Sequence, residues 1–214
     1  MSIQFPFVFA FLSLLILSLP TPALAADIVG KVVAIQGDAI VYRGDKQLPL
    51  GDKVRVVEGD ELVTSGDSKV RFELRDGTRI TLANKTKFKI DKYRFNREKQ
   101  TSDVRFSLAT GAFRAITGAI GQQAAPKLEV KTRVATMGIR GTDFWGGFIF
   151  SDALDVTMVS GKGVYIKNEY GQVELTTGGQ GTTVKANEAP TAPKTWPDKK
   201  VNKAVAATAL EMDL

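Results

Sequence analysis

Neither histidine nor cysteine occurs anywhere in the 214 residues, and these two absences remove most of the chemistry that an enzyme would use. Without imidazole, the commonest general base and metal ligand at neutral pH is gone. Without either residue there is no nitrogen or sulfur zinc site, no Ser-His-Asp triad and no cysteine nucleophile. No disulfide can form, and no cysteine is present to carry a lipid anchor. Catalysis by carboxylates alone needs paired acids facing one cleft. Here Asp38, Asp52, Asp60, Asp67 and Asp76 each stand beside a glycine, where aspartate has a local role in turns. Asp143, Asp152 and Asp155 offer oxygen ligands, but their spacing matches no calcium loop. The expectation is a non-enzymatic protein with no cofactor and no metal.

Long hydrophobic runs are also scarce. The apolar stretch from Phe7 to Leu19 is broken by Pro20 and Pro22 and followed by Ala23-Leu24-Ala25, the small-x-small pattern read by signal peptidase. It lacks the usual preceding Lys or Arg, and it is shorter than the roughly 20 residues a membrane-spanning helix needs. Residues 1–25 are therefore read as a signal peptide, cleaved between Ala25 and Ala26. The mature chain of about 189 residues would have no transmembrane segment and would be periplasmic or secreted. Its charge of +6, from 29 basic and 23 acidic residues, favours anionic lipid, cell-wall polymer or an acidic protein. Nucleic acid is disfavoured by the export signal.

What is present is short apolar-polar alternation punctuated by Gly, Asp and Asn every eight to twelve residues, the pattern of a meandering antiparallel β protein. Val70, Phe72 and Leu74, then Ile80 and Leu82, flank Asp76-Gly77. A two-residue loop would put their apolar rows on opposite faces, so a three-residue connection or a bulge is expected, pairing Leu74 with Ile80 and Phe72 with Leu82. A two-residue Thr110-Gly111 turn would pair Leu108 with Phe113 and Phe106 with Ala115. The segments 33–51 and 157–178 share the order strand, Gly, strand, turn, strand, Gly, through either duplication or chance. Residues 117–126 lack alternation and read as a mobile loop. A Pro-rich linker follows at 186–197, then a helical tail at 198–214 with Asp198 as N-cap and an exposed, frayed default state.

Between residues 85 and 99, the cations Lys85, Lys87, Lys89, Lys92, Arg94 and Arg97 alternate with Phe88, Ile90, Tyr93 and Phe95. The parity of the basic positions switches across Asp91, so a bulge or turn there would restore one basic face. That face is either a solvated or edge strand protected from pairing, or a contact for an anionic envelope polymer.

The order of several short motifs from Gly30 to Val184 resembles the FecR domain. It includes Gly30-Lys-Val, Leu50-Gly-Asp52, Gly59-Asp-Glu-Leu-Val-Thr64, Leu74-Arg-Asp-Gly-Thr78 and Val159-Ser-Gly161. At its centre is Ile139-Arg-Gly-Thr-Asp-Phe144. The resemblance implies an all-β fold for residues 26–185, an antiparallel hairpin-rich sandwich or short solenoid-like stack, with no catalytic or cofactor residues. It also implies an interaction or signalling role with an envelope protein partner. Arg140, Gly141, Thr142, Asp143 and Phe144 would be structural and partner-facing, with Gly141 making a bend and Arg140 and Thr142 bonding nearby backbone. Regulators of that family combine a cytoplasmic sigma-factor-controlling segment, a membrane helix and a periplasmic domain. An export signal stands here in place of the first two, so sigma-factor control and iron sensing are not carried over.

Overall fold

The computed structural model describes residues 27–213; the expected signal peptide lies outside the described residues. The chain alternates between two stacked sheets, I and II. β1 (Ile28–Gln36) is in sheet I, and β2 (Ala39–Arg43) and β3 (Lys46–Pro49) form a hairpin in sheet II. β4 (Arg55–Val57) returns to sheet I and β5 (Glu61–Thr64) to sheet II. The hairpin of β6 (Lys69–Leu74) and β7 (Arg79–Leu82) follows in sheet I, then that of β8 (Lys87–Asn96) and β9 (Thr101–Thr110) in sheet II. β10 (Ala112–Ile116) is in sheet I, β11 (Leu128–Lys131) and β12 (Thr136–Ile139) in sheet II, β13 (Thr142–Gly147) and β14 (Leu154–Gly161) in sheet I. β15 (Val164–Asn168) and β16 (Gly171–Leu175) complete sheet II, and β17 (Gln180–Val184) and β18 (Lys194–Thr195) complete sheet I. Sheet I has the order β18-β17-β14-β13-β10-β7-β6-β1-β4, and sheet II the order β16-β15-β12-β11-β9-β8-β5-β2-β3. Pairing is antiparallel except between β9 and β11. The architecture is a sandwich whose path advances rung by rung, so both forms of the expected β fold are present in one molecule.

The inner faces of the two sheets meet over a core in which Phe88 touches Phe72, Phe106 and Phe113, and Phe113 stacks edge-on against Phe144 at 5.3 Å. All five rings are fully buried, and aromatic pairs in such tilted geometry add about 1 kcal/mol each beyond area burial.

Two expected registers need correction. At Asp76 the loop has three residues: Leu74 donates to the Thr78 carbonyl at 2.8 Å, and Gly77, at φ +84°, supplies the left-handed position such a loop requires. Phe72 therefore faces Ile80, and Val70 faces Leu82, two residues from the expected pairing but of the same parity, so both apolar rows still face the core. The Thr110-Gly111 turn is not a hairpin. β9 pairs with β8 and β11, and β10 pairs with β7 and β13. Gly111, at φ +80°, is a corner at which the chain changes sheet. Corner and hairpin bury the same alternating residues, so the pattern alone does not separate them. The two similar segments noted in the sequence share one path, since Gly37 (φ +69°) and Gly161 (φ +120°) both lie where the chain passes from sheet I to a hairpin in sheet II.

The C-terminal region is packed rather than frayed. In the segment read as a linker, Thr182 Oγ1 bonds the Thr191 carbonyl at 2.6 Å, β18 pairs with β17, and Trp196 is buried flat over Gly181. Helix α1 (Asp198–Ala207) has Pro197, not Asp198, at its N-cap. Its buried Ala204 packs with Trp145, Ala83 and Ala112 on the outer face of sheet I. Val201, Ala204, Val205 and Thr208 form its inward stripe; nothing in the local sequence marks Trp145 and Phe150 as standing on an outer face that it covers. Polar latches fix the ends. Lys200 bonds Asp155 at 2.7 Å, Lys69 Nζ caps the Ala209 carbonyl, and Arg71 holds Asp213 through two hydrogen bonds.

The Arg71 hydrogen bond holds the Asp213 carboxyl down at about 2, below the ordinary aspartate value near 3.9. A depressed folded-state pKa adds stability that is complete above the unfolded value and is lost as pH falls through the folded one. Asp213→Asn is therefore expected to lower Tm by a few degrees at pH 6, with the difference shrinking between pH 4 and pH 2. Thermal melts of both proteins across that range check it.

Candidate functional site

A chain that turns from one sheet into the other leaves backbone groups unpaired at each corner, and a buried orphan costs about 1–3 kcal/mol. Threonines answer this need. Thr64 Oγ1 donates to the Ala83 carbonyl and accepts the Thr86 N–H, at 2.7 and 2.9 Å. Thr86 Oγ1 accepts the Ala112 N–H at 3.1 Å and lies 3.1 Å from the Ala112 carbonyl. Both stitch corners at one end of the sandwich.

The family motif makes the same device at the other end. Gly141, at φ +65°, turns the chain from β12 to β13, and a Cβ there would strike the Gly121 carbonyl. Thr142 is buried, donating through Oγ1 to the Gly163 carbonyl at 2.8 Å and accepting the Gly163 N–H at 3.1 Å. Its own N–H bonds Thr117 Oγ1 at 2.7 Å. Asp143 forms a two-pronged pair with Arg114 at 2.8 and 2.7 Å, which raises the Arg114 pKa. Phe144 enters the core. Arg140 differs from expectation: its side chain is 60% exposed and its guanidinium reaches the Glu174 carboxylate at 3.5 Å, not backbone. It is the motif member available to a partner.

Residues 117–126, read as a mobile loop, are anchored at their start. Gly118 N bonds Thr78 Oγ1, and Ala119 N and Ile120 N bond the carbonyl and carboxylate of Asp76. The buried Asp76 carboxylate also receives Thr78 Oγ1 at 2.6 Å and the Tyr93 hydroxyl at 3.2 Å. Burial, followed by the Asp76 charge, pushes the Tyr93 pKa up, so that hydroxyl remains a donor. Sequence reasoning placed Asp76 in a turn but missed its grip on a loop more than 40 residues away. Beyond that grip, the loop, Arg140, Lys162, Tyr165 and Glu174 line a cavity of about 730 Å³. Gln123 also lines it. Its side chain is buried, and neither amide atom has a hydrogen-bond partner among the described residues.

The basic ribbon has one cationic face, as expected: the register of β8 shifts between Ile90 and Lys92, and Phe88, Ile90 and Tyr93 stay buried while the cations face out. It is not an edge, since β5 and β9 flank it. Nor is it strongly positive. Lys87 lies 3.5 Å from Glu61, Lys92 lies 2.6 Å from Asp103, and Arg94 pairs with Glu58. The Lys92 hydrogen bond holds Asp103 below the usual carboxylate range. Lys85, Lys89 and Arg97 have no ion pair among the described residues. Two of the three acids considered for calcium are engaged elsewhere, Asp143 with Arg114 and Asp155 with Thr183 and Lys200.

Residues 60–162 match the family model described as FecR protein. The strands on either side of the match extend the same two sheets. Two solved structures of a candidate anti-sigma factor from Parabacteroides distasonis ATCC 8503 share the fold. They align with TM-scores of 0.53 and 0.51 at 16% and 17% identity, over 66% of this chain and 62% of theirs. This chain thus spans less than two thirds of their length. No curated protein matches it.

Thr142→Val removes the stitch while keeping the shape. It is expected to cost about 2 kcal/mol, because the Gly163 N–H loses its partner and the Gly163 carbonyl keeps only the Arg140 N–H, whereas Thr142→Ser, which keeps the hydroxyl, costs under about 1 kcal/mol. Urea unfolding of the three proteins checks the order.

Proposed function

We propose that this chain is a non-enzymatic regulatory module of the cell envelope, exported to the periplasm, that binds a protein partner through the corner end bearing Arg140. The observation that carries this reading is the division of labour within the motif. Gly141, Thr142, Asp143 and Phe144 are consumed by the fold, while Arg140 projects beside a cavity floored by an unsatisfied glutamine. A buried amide without partners is costly alone and becomes favourable when a ligand pairs with it. A polypeptide, with its own donors and acceptors, supplies such groups. The match of residues 60–162 to the FecR model supports a partner-binding role, and the export signal supports the location.

Helix α1 is not the partner-binding element of this reading, because its apolar side is already packed on sheet I. The anionic-polymer alternative loses ground on β8, where half of the named cations are neutralised by neighbouring acids.

In-cell crosslinking in the native host, followed by a high-salt wash, tests the reading. A captured protein should survive the wash, and its yield should fall at least tenfold with Arg140→Glu while Lys89→Glu leaves it unchanged. Equal capture by Arg140→Glu, or capture of polymer alone, would contradict it.

A further inference from the structure

The described residues contain many ion pairs, yet five cations that have none gather in one place. Lys31, Lys53, Arg55, Arg75 and Arg97 line a cleft of about 500 Å³ at the same end of the sandwich as Arg140. None of them forms an ion pair among the described residues. They come from five separate places: β1, the turn before β4, β4 itself, the β6–β7 loop and the β8–β9 turn. The fold therefore converges them, as a run of lysines along one strand would not.

The cleft is built rather than incidental. Gly30 forms part of its floor, and a Cβ there would strike the Glu73 carbonyl. Arg75 is braced over the buried Tyr93 ring at 5.3 Å, and its backbone N–H is tied to the Val29 carbonyl. Among the described residues, the only acids lining it are Glu73 and Asp76. Asp76 is already committed to Thr78, Tyr93 and Ile120. With both acids counted, three positive charges remain uncompensated. Like charges held together without a counterion repel, so an anion entering the cleft is favoured by each of them.

We infer that this cleft binds a ligand carrying two phosphoryl groups. Each phosphoryl monoester carries about −1.5 to −2 at neutral pH, so two match the excess. Carboxylates would need three or more in the same space, with the mutual repulsion that entails. Three guanidinium forks suit phosphoryl oxygens, which they grip in pairs. The cleft volume is that of a small-molecule site. The ligand is either a free phosphorylated molecule or the phosphomonoester headgroups of a membrane surface, and the chemistry is the same for both.

Inorganic pyrophosphate is the probe. Calorimetry on the full mature chain at low ionic strength should show binding at one site, weakening with added salt. Arg55→Gln, Arg75→Gln and Arg97→Gln together should weaken it at least tenfold with the melting temperature of the protein little changed. Lys87→Gln with Lys89→Gln, on the outer face of β8, should leave it intact. Arg97→Gln alone, at a turn position remote from the core, should weaken it severalfold and serves if the triple variant folds poorly. Cosedimentation with phosphatidic acid vesicles that pyrophosphate reverses assigns the site to headgroups; pyrophosphate binding without cosedimentation assigns it to a free ligand. No pyrophosphate binding, binding lost equally in the β8 variant, or tighter binding of a tricarboxylate would overturn the proposal. Loss of the crosslinked partner with Arg140→Glu is read separately, so the two sites fail independently.

Discussion

Satisfying backbone groups at the corners is the constraint on which this structure depends. A hairpin keeps its hydrogen bonds within one ladder, but a chain that steps repeatedly between two sheets breaks the ladder at every step. Each corner sits at the rim of a core and has little water to draw on. Glycine allows the bend and threonine supplies a hydroxyl that can give and accept at once. Thr64, Thr86 and Thr142 each bond the backbone of the next corner along. Adjacent rungs are thereby fastened through side chains, and the sheets follow.

The same constraint explains what the sequence disclosed. Alternation reports which residues face the core, and Phe72, Phe88, Phe106, Phe113 and Phe144 all stand there. It does not report whether a turn leads back into the same sheet or across to the other. Gly111 was legible as a turn, but its destination depends on β7 and β13 taking the places beside β10. The bulge at Asp91 was legible because the parity of lysines and arginines switches there, and side-chain parity is a property of the strand itself. The docked helix was not legible, since Trp145 follows Phe144 and looks like an ordinary out-facing residue until a surface arrives to cover it.

At the site, the motif Ile139 to Phe144 was visible as a string, and most of it turned out to serve the corner. Its neighbours were invisible for a physical reason: Thr117, Gly121 and Gln123 are brought to it by the loop after β10, and Gly163 by the turn after β14. The exposed cations on β8 drew attention because they are consecutive in sequence, yet consecutive residues on a sheet lie beside other strands, which here carry the neutralising acids. The cations that converge without partners come from distant segments, and only the folded chain assembles them. Both clefts lie at one end of the sandwich, where the corners of the family motif stack. The covered outer face of sheet I lies beneath helix α1.

Native-state hydrogen exchange on the amides of Thr86, Ala112 and Gly163 tests the account most directly, because each of these protons bonds a threonine hydroxyl rather than a ladder carbonyl. If the stitched corners hold the rungs together, these amides exchange only through global unfolding, with protection equal to that of the central strands. Exchange of the three by local opening, well ahead of the strands beside them, would show that the corners are passive and that the ladders alone carry the fold.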